Sequence, residues 1–445
     1  MTQIKNKLAI IGIDSLDPYV ILRYRDELPN LSKLIDESPT FISKSVFPVD
    51  TIPAWGSIYT GLNPGNHGLL YVYDVFDPNL SDLNKLDANY IKGKTFWDYA
   101  SEEGYKTIVL FPTLMYPAWD TNGVMISKSP FEDRLNWIKT ERSISVYPET
   151  IKNKYKIPDK LLDLWGGFPG INHLQEWAET GKDILKLEKN IGLDIYKSED
   201  WDLFFIYYSL LDIIQHRLWR FFDHDDITFP GKTPLHAIIK DYYIIFDNII
   251  GEFIEVHPEI SLIVMSDHGH MSRPSKIVNI NEYLRKNGYL LLKNNKNNIK
   301  WVRDNSLKLI TKLNLEHLVI KFVNKSQKLA AASKTIYSMS EAIDKTKSVA
   351  YLSNFAGIKS YPDGGIEINK NLVLDDKYEQ IRDDLIKLLS ELKGSDNELL
   401  LNWVARREEV YPGKFTERIY PDILFELRSG YGVGWDINSD LFGIS

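Results

Sequence analysis

Short apolar runs alternate with helical patterns along the chain. Residues 8–13 form an apolar run rich in β-branched side chains that ends at Asp14. Such a run is typical of a strand buried on both faces of a parallel sheet. Residues 95–103 predict a helix that stops before Gly104, and the apolar run 107–111 follows. The pattern therefore predicts a helix followed by a buried strand.

The same unit recurs later in the chain. Residues 241–256 have apolar positions at helical spacing, and the apolar run 260–265 ends next to Asp267. A third strand-like run, 201–208, is followed within four residues by Asp212. This alternation predicts an α/β fold with a doubly wound, mostly parallel sheet and helices on both faces. Ligands of such sheets bind outside the carboxyl ends of the strands, where these polar residues lie.

Two stretches interrupt this alternation. Residues 128–199 are polar, aromatic and helical with several prolines, and they predict an inserted cap. The Lys-rich stretch 291–343 predicts either a basic lid over an anionic substrate or a solvated helical hairpin. The predicted division is core at 1–127, cap at 128–199, core at 200–290, helical cap at 291–343 and core at 344–445.

Composition excludes several classes of protein. Apolar residues make up 44% and charged residues 26% of the 445 positions, which excludes a disordered or low-complexity chain. The net charge of −8 argues against a nucleic-acid-binding surface but allows a small anionic substrate. The chain has no cysteine, so thiolate zinc sites and cysteine nucleophiles are excluded. The run 8–13 is too short for a signal sequence or membrane span, which favours a cytoplasmic protein.

The segment 47–68 holds the most informative threonine. Pro53 suits the first turn of a helix and Gly61 its end, which places Thr51 at or just before a helix N-terminus. Backbone N–H groups and the helix dipole attract anions there. Taken alone, Thr51 is more simply interpreted as a helix cap.

Three further clusters change that interpretation. Asp14 ends the first strand, Asp267 and His268 end another, and Asp212 precedes His216 by four residues, so that these two share one helical face. Carboxylate and imidazole ligands suit Zn²⁺ or Mn²⁺ without any thiolate. Carboxylates gathered at one sheet edge would repel each other unless a cation neutralised them. Together with a threonine that a metal could activate, the clusters predict a two-metal phosphoryl site.

The ordered motifs resemble a known family. They are Ile11-Gly-Ile-Asp14, Asp50-Thr51-Ile-Pro-Ala-Trp, Thr60-Gly61, His67-Gly68, Asp212-x-x-x-His216 and Ser266-Asp-His-Gly269. The set is similar to the alkaline phosphatase superfamily, and within it to the type I phosphodiesterase/nucleotide pyrophosphatase-like branch and its predicted phosphohydrolase/phosphomutase group.

The resemblance implies an alkaline-phosphatase-like fold, a metal-dependent phosphoester hydrolase and two divalent cations, with Zn²⁺ favoured and Mn²⁺ as the alternative. It implies that Thr51 is the nucleophile and forms a phosphothreonine. The implied ligands are Asp14, Thr51, Asp267 and His268 for one cation and Asp212 and His216 for the other.

Two features depart from the family pattern. The family takes a further histidine for the second metal from a motif near the C-terminus, whereas the last histidine here is His317. Three explanations stay open: a chain shortened before that motif, a substitute ligand such as His270, or loss of the second metal and of activity. Tyr71 and Val72 stand where nucleotide pyrophosphatases have an asparagine, which weakens the case for a nucleotide substrate.

The leading hypothesis is thus a hydrolase acting on a small phosphorylated substrate, without nucleic acid or a membrane span. The alternatives are a phosphomutase with the same nucleophile and a catalytically impaired binding or assembly protein. A dinucleotide-binding enzyme is set aside, because the loop after the first strand lacks G-x-G-x-x-G.

Overall fold

The structure is a computed structural model in which the chain forms two compact units. It describes residues 7–70, 91, 93–129, 143–159, 161–162, 170–293, 342–353, 361–394 and 396–444. The first unit comprises the described residues of Met1–Leu62, Leu83–Arg134 and Ile138–Ser272. The second comprises those of Asn63–Asp82 and Arg273–Ser445.

The first unit is built on a six-stranded sheet in the order β4-β3-β2-β5-β1-β6. Its strands are β1 (Leu8–Ile13), β2 (Thr107–Leu110), β3 (Val124–Lys128), β4 (Ile144–Tyr147), β5 (Leu203–Tyr208) and β6 (Ser261–Met265). All neighbours are parallel except β3 and β4, which are antiparallel. The mostly parallel sheet predicted from the apolar runs is therefore confirmed.

Register brings the carboxyl ends of three adjacent strands level. Gly12 of β1 pairs with Tyr207 of β5 on one side and with Met265 of β6 on the other. The chain leaves these strands at Asp14, Ser209 and Ser266, and Asp212 follows in the first turn of α8 (Leu210–Phe222). The strand-end clusters therefore lie at one edge of one sheet.

Three helices, α3, α5 and α9 in the list below, begin and end close to the positions predicted from the sequence. The helices are α1 (Pro18–Arg23), α2 (Pro29–Glu37), α3 (Thr51–Thr60), α4 (Pro64–His67), α5 (Phe96–Glu102), α6 (Thr150–Lys154), α7 (Leu174–Ser198), α8 (Leu210–Phe222), α9 (Ile238–Val256), α10 (Ile280–Lys286), α11 (Asp375–Ser390), α12 (Arg407–Val410) and α13 (Thr416–Ile419). No helix within the described ranges has the length and apolar character that a membrane span requires.

Segment 128–199 contributes β4 and α7 to the core of the first unit. β4 pairs with β3 in the sheet, and α7 buries Ile184, Leu185 and Ile195 in the apolar core of this unit. The polar, proline-containing sequence concealed these elements because α7 is amphipathic and buries only one face. The core-and-cap division itself stays a prediction.

The second unit contains two smaller sheets. One has the order β10-β11-β9-β8 and is antiparallel, and the other has the order β12-β7-β13. The strands are β7 (Lys276–Asn279), β8 (Ala350–Leu352), β9 (Asp363–Ile368), β10 (Leu401–Arg406), β11 (Ile423–Leu427), β12 (Tyr431–Gly434) and β13 (Phe442–Ile444). Residues 294–341, nearly all of the predicted Lys-rich cap, lie outside the described residues.

Candidate metal centre and active site

Helix α3 begins at Thr51, as the sequence predicts. Asp50 is its N-cap, and the Asp50 carboxylate accepts a hydrogen bond of 3.1 Å from the Ile52 N–H. Gly61 ends the helix with φ of 66°, a left-handed conformation that glycine adopts without strain. The interpretation of Thr51 as a simple cap is therefore wrong, because Asp50 has that role.

A close approach of helix to strand holds α3 against β1. A Cβ built on Gly12 would lie 2.6 Å from Cη2 of Trp55, so only glycine allows this packing. Trp55 is fully buried, and its ring lies edge-on to Tyr207 with 4.9 Å between ring centroids. The contact holds the N-terminal turn of α3 beside the end of β1.

The first ligand group is formed by Asp14, Asp267 and His268, whose ligand atoms lie within 4.8 Å of one another. Oγ1 of Thr51 is 3.4 Å from Oδ1 of Asp14 and 3.3 Å from Nε2 of His268. The same Nε2 is 3.5 Å from Oδ1 of Asp14 and 3.3 Å from Oδ2 of Asp267. Four side chains from three distant parts of the sequence therefore converge.

These distances fit a tetrahedral cation site. Two bonds of about 2.0–2.1 Å at a tetrahedral angle place their ligand atoms about 3.3 Å apart. Oδ2 of Asp267 is buried and accepts no hydrogen bond from the described residues. Nδ1 of His268 lies 2.9 Å from the Gly269 carbonyl, which can only accept, so Nδ1 donates and Nε2 carries the lone pair. Both atoms are thus available to a divalent cation.

The second ligand group is formed by Asp212, His216 and His270, again within 4.8 Å of one another. Asp212 and His216 lie one turn apart on α8, and Nε2 of His216 is 3.2 Å from Oδ1 of Asp212. That Oδ1 is buried, and within the described part of the chain no group donates a hydrogen bond of good geometry to it. The predicted i, i+4 pair therefore faces one point, and His270 joins it.

Several neighbours that orient these ligands are absent from the sequence motifs. The Tyr207 hydroxyl donates to Oδ2 of Asp14. The Ser15 N–H donates to Oδ1 of Asp267 at 3.1 Å, and the Ser45 hydroxyl donates to the Asp267 carbonyl at 2.7 Å. These bonds leave Oδ1 of Asp14 and Oδ2 of Asp267 directed at the ligand group. Ser15 follows Asp14 directly, which is the one signal the sequence offers for it.

The site concentrates negative charge in a buried place. Burial, and then repulsion by Asp267 and Asp212, raise the pKa of Asp14 well above its ordinary value. Burial also raises the pKa of Asp267. Burial alone would raise the pKa of Asp212, but the neighbouring His216 outweighs it and lowers that pKa. Burial opposes protonation of His268, but Asp267 and Asp212 outweigh it and raise its pKa. A bound cation would relieve the repulsion between the carboxylates.

All six residues predicted from the sequence thus lie in one of two neighbouring groups. Thr51 lies with Asp14, Asp267 and His268. The negative charge of Asp212 raises the pKa values of Asp14 and His268, so the two groups interact electrostatically. The structure adds His270 to Asp212 and His216. A threonine oxygen beside the first of two electrostatically coupled ligand groups is an arrangement suited to phosphoryl transfer.

Comparison with known proteins agrees with this chemistry. Residues 8–440 match the model of the family described as type I phosphodiesterase/nucleotide pyrophosphatase. The chain belongs to this family. Membership of the type I phosphodiesterases indicates a phosphoester hydrolase, and the family uses divalent metals, for which both ligand groups are candidates. A search of curated proteins found no match.

Solved structures similar to this chain include members of the alkaline phosphatase superfamily. Phosphonoacetate hydrolase from Sinorhizobium meliloti 1021, in complex with phosphonoformate, has 14% identity and a TM-score of 0.51, covering 97% of this chain and 83% of its own. Human ectonucleotide pyrophosphatase/phosphodiesterase 5 has 14% identity and a TM-score of 0.43, covering 98% and 83%. Alkaline phosphatase PafA has 12% identity and a TM-score of 0.46, covering 96% and 86%. The likeness to phosphonoacetate hydrolase, together with the mostly parallel sheet of the first unit, confirms the predicted alkaline-phosphatase-like fold.

Proposed function

We propose that this chain is a metal-dependent phosphoester hydrolase that acts through a phosphothreonine formed at Thr51. The observation that carries the proposal is the position of the Thr51 oxygen, 3.4 Å from Asp14 and 3.3 Å from His268. A threonine that only stabilised the helix would not need its oxygen to face two buried side chains of the kind that bind metals. The dipole of α3 adds a positive potential at the same point, which favours a phosphate group.

One cation would be held by Asp14, Thr51, Asp267 and His268, and a second by Asp212 and His216. Zn²⁺ is the favoured ion, because histidine and carboxylate ligands at tetrahedral spacing suit it, and Mn²⁺ is the alternative. When bound, the cations would lower the pKa of the threonine hydroxyl and neutralise charge on the phosphoryl oxygens.

Thr51 would act in two steps. In the first, its Oγ1 bonds to phosphorus, the bond from phosphorus to the ester oxygen breaks, and the alcohol leaves with a proton. In the second, the oxygen of a water molecule bonds to phosphorus and the bond to Thr51 breaks, which restores the hydroxyl. The N-cap Asp50 and the packing of Trp55 on Gly12 would keep Oγ1 in position during both steps.

The substrate would be a small phosphorylated molecule, since family membership favours a phosphoester. A cytoplasmic location also remains a prediction. Isotopically labelled water distinguishes hydrolysis from transfer to another hydroxyl, because only a hydrolase places the oxygen of water in the released phosphate.

The test is a set of threonine variants of the metal-loaded protein, assayed with aryl phosphomonoesters and phosphodiesters. Thr51→Ala should lower kcat at least ~10³-fold while retaining at least one bound metal per chain, and Thr51→Ser should keep part of the activity. Thr60→Ala is the matched control, because Thr60 ends the same helix and its hydroxyl donates to the Gly56 carbonyl at 2.7 Å. Unchanged turnover in Thr51→Ala would refute the nucleophile.

A further inference from the structure

The second ligand group contains a histidine that the Asp212-x-x-x-His216 motif does not include. One ring nitrogen of His270 lies within 4.8 Å of ligand atoms from both Asp212 and His216. We infer that His270 is the third protein ligand of the second divalent cation, an inference that rests on the proposed function. It takes the place that the resemblance assigns to a histidine near the C-terminus.

Two ligands alone form a weak site. Zinc sites that perform catalysis have three protein ligands and one open position for water or substrate. Asp212 and His216 supply two, and among the residues that the structure describes none donates a hydrogen bond to the buried Oδ1 of Asp212. A third ligand from His270 completes a set of one carboxylate and two imidazoles.

The loop after β6 separates His268 from His270 so that each serves a different group. Gly269 lies between them against the carboxylate of Asp17, and a Cβ at this position would collide with Oδ2 of Asp17. The same oxygen accepts a hydrogen bond of 3.0 Å from the His270 N–H. Asp17 is itself fixed, because its other oxygen caps α1 by accepting from the Tyr19 and Val20 N–H groups. The backbone at His270 is thereby held in one place.

The ring of His270 is oriented as well. Its centroid is 4.7 Å from the Trp219 ring and 5.0 Å from the His216 ring. Trp219 is anchored through a hydrogen bond of 3.1 Å from Nε1 to the Ser272 hydroxyl, which donates to Asp223 at 2.6 Å. Such support is what a metal-ligating histidine requires.

The hydroxyl of Ser15 selects the tautomer of the His270 imidazole. The hydroxyl oxygen is 3.3 Å from Nδ1 of His270 and 3.2 Å from the Gly269 carbonyl oxygen. The carbonyl can only accept, so the hydroxyl proton belongs there and Nδ1 of His270 donates to the Ser15 oxygen. Nε2 then carries the lone pair that a cation needs. Ser15 therefore acts on His270 as Gly269 acts on His268.

The absence of cysteine from the natural chain allows a direct test. In His270→Cys, loaded with Co²⁺, a thiolate ligand would give a thiolate-to-cobalt charge-transfer band in the near ultraviolet. His173→Cys is the matched control, because the His173 side chain is 71% exposed and lies in neither ligand group. The inference predicts the band in the first variant and none in the second. A folded His270→Cys variant that binds two Co²⁺ ions without the band would overturn it.

Metal binding by His270→Ala gives a second readout that is independent of activity. Wild type and His173→Ala should each bind two Zn²⁺ per chain, and His270→Ala should keep one. Loss of an outer-shell partner weakens metal binding about 10–100-fold, so loss of a direct ligand should weaken the second equivalent by at least ~100-fold. Circular dichroism checks that each variant is folded.

The outcomes separate the two proposals. Two tightly bound ions in both wild type and His270→Ala would overturn the role of His270 and leave the proposed function standing. No tightly bound ion in wild type would overturn the proposed function and this inference with it.

Discussion

At the scale of single residues, the three aspartates of the site bring like charges together in a buried place. Asp14 is 1% exposed, Asp267 6% and Asp212 9%, and the pKa of Asp14 is raised first by burial and then by the other two carboxylates. Without a cation this arrangement opposes folding, because every charge loses water and meets a like charge. Such a cost is typical of residues kept for function rather than for stability.

Asp14→Asn should therefore stabilise the metal-free protein. Because the pKa of Asp14 is raised on folding, the folded chain binds the extra proton between the unfolded and folded pKa values, so stability falls as the pH rises through that window. The amide that replaces the carboxyl group in this variant does not titrate. The pH-dependent contribution of residue 14 to the free energy of unfolding therefore disappears.

The measurement is urea unfolding of metal-free wild type and Asp14→Asn near pH 5 and pH 8, with the exposed Asp26→Asn as control. The advantage of Asp14→Asn over wild type should be larger at pH 8. If the free energy of unfolding of Asp14→Asn exceeds that of wild type by less at pH 8 than at pH 5, the raised pKa of Asp14 is contradicted.

The ligand residues could be predicted from the sequence, but their supporting partners could not. Asp14 and Asp267 follow apolar runs, and a run of that kind marks the end of a buried strand. Tyr207 lies in the strand-like run 201–208 and is buried, yet its hydroxyl donates to Asp14. That contact depends on the register of β5 against β1, which no local pattern specifies.

At the scale of elements, helix α3 positions Thr51 beside the first ligand group. Its bounds were predicted from Pro53 and Gly61, because proline favours a first turn and glycine a left-handed end. The packing of α3 on β1 was not predicted, because the close contact of Trp55 with Gly12 depends on the tertiary structure. The helix therefore fixes Thr51 through a contact four residues away from the chemistry.

Gly12→Ala should damage turnover without touching the site. The new Cβ would lie 2.6 Å from the Trp55 ring, which must move and carry α3 with it. Overpacking of this kind costs about 1–3 kcal/mol of stability, and displacement of Oγ1 by about 1 Å costs about 10²-fold in rate.

Kinetics of the metal-loaded variants check this expectation. The double variant Gly12→Ala/Trp55→Phe should recover part of the lost kcat, because the smaller ring makes room. Gly170→Ala is the control, since its added Cβ would meet its nearest neighbour at 3.9 Å. Full activity in Gly12→Ala would show that the packing does not position Thr51.

At the scale of the whole molecule, the site exists only when the first unit is folded. Its ligands come from residue 14 to residue 268 and meet because β5, β1 and β6 are neighbours in the sheet. The alternation of strands and helices made this topology predictable, since parallel sheets align their carboxyl ends. The membership of β4 and α7 in the core was not predictable, because the surrounding sequence is polar and α7 buries only one face.

Metal removal should loosen the first unit selectively. A cation at a hundredfold excess over its Kd stabilises the folded state by about 2.7 kcal/mol, and a chelator removes that contribution. Hydrogen exchange should accelerate in the loop 266–270 and in the first turn of α8. Strands β8–β11 of the second unit contribute none of the predicted ligands, and their exchange should not change. Equal acceleration in both units would contradict local binding.

The central claim, that the Thr51 oxygen attacks phosphorus, is tested most directly by trapping the intermediate. Metal-loaded protein is mixed with an aryl phosphate ester, quenched in acid within a single turnover, digested and analysed by mass spectrometry. The account predicts one added phosphoryl group on the peptide that contains Thr51, located at that residue, and none in Thr51→Ala. Turnover by the wild type with the phosphoryl group on another residue, or an equal label in Thr51→Ala, would contradict it.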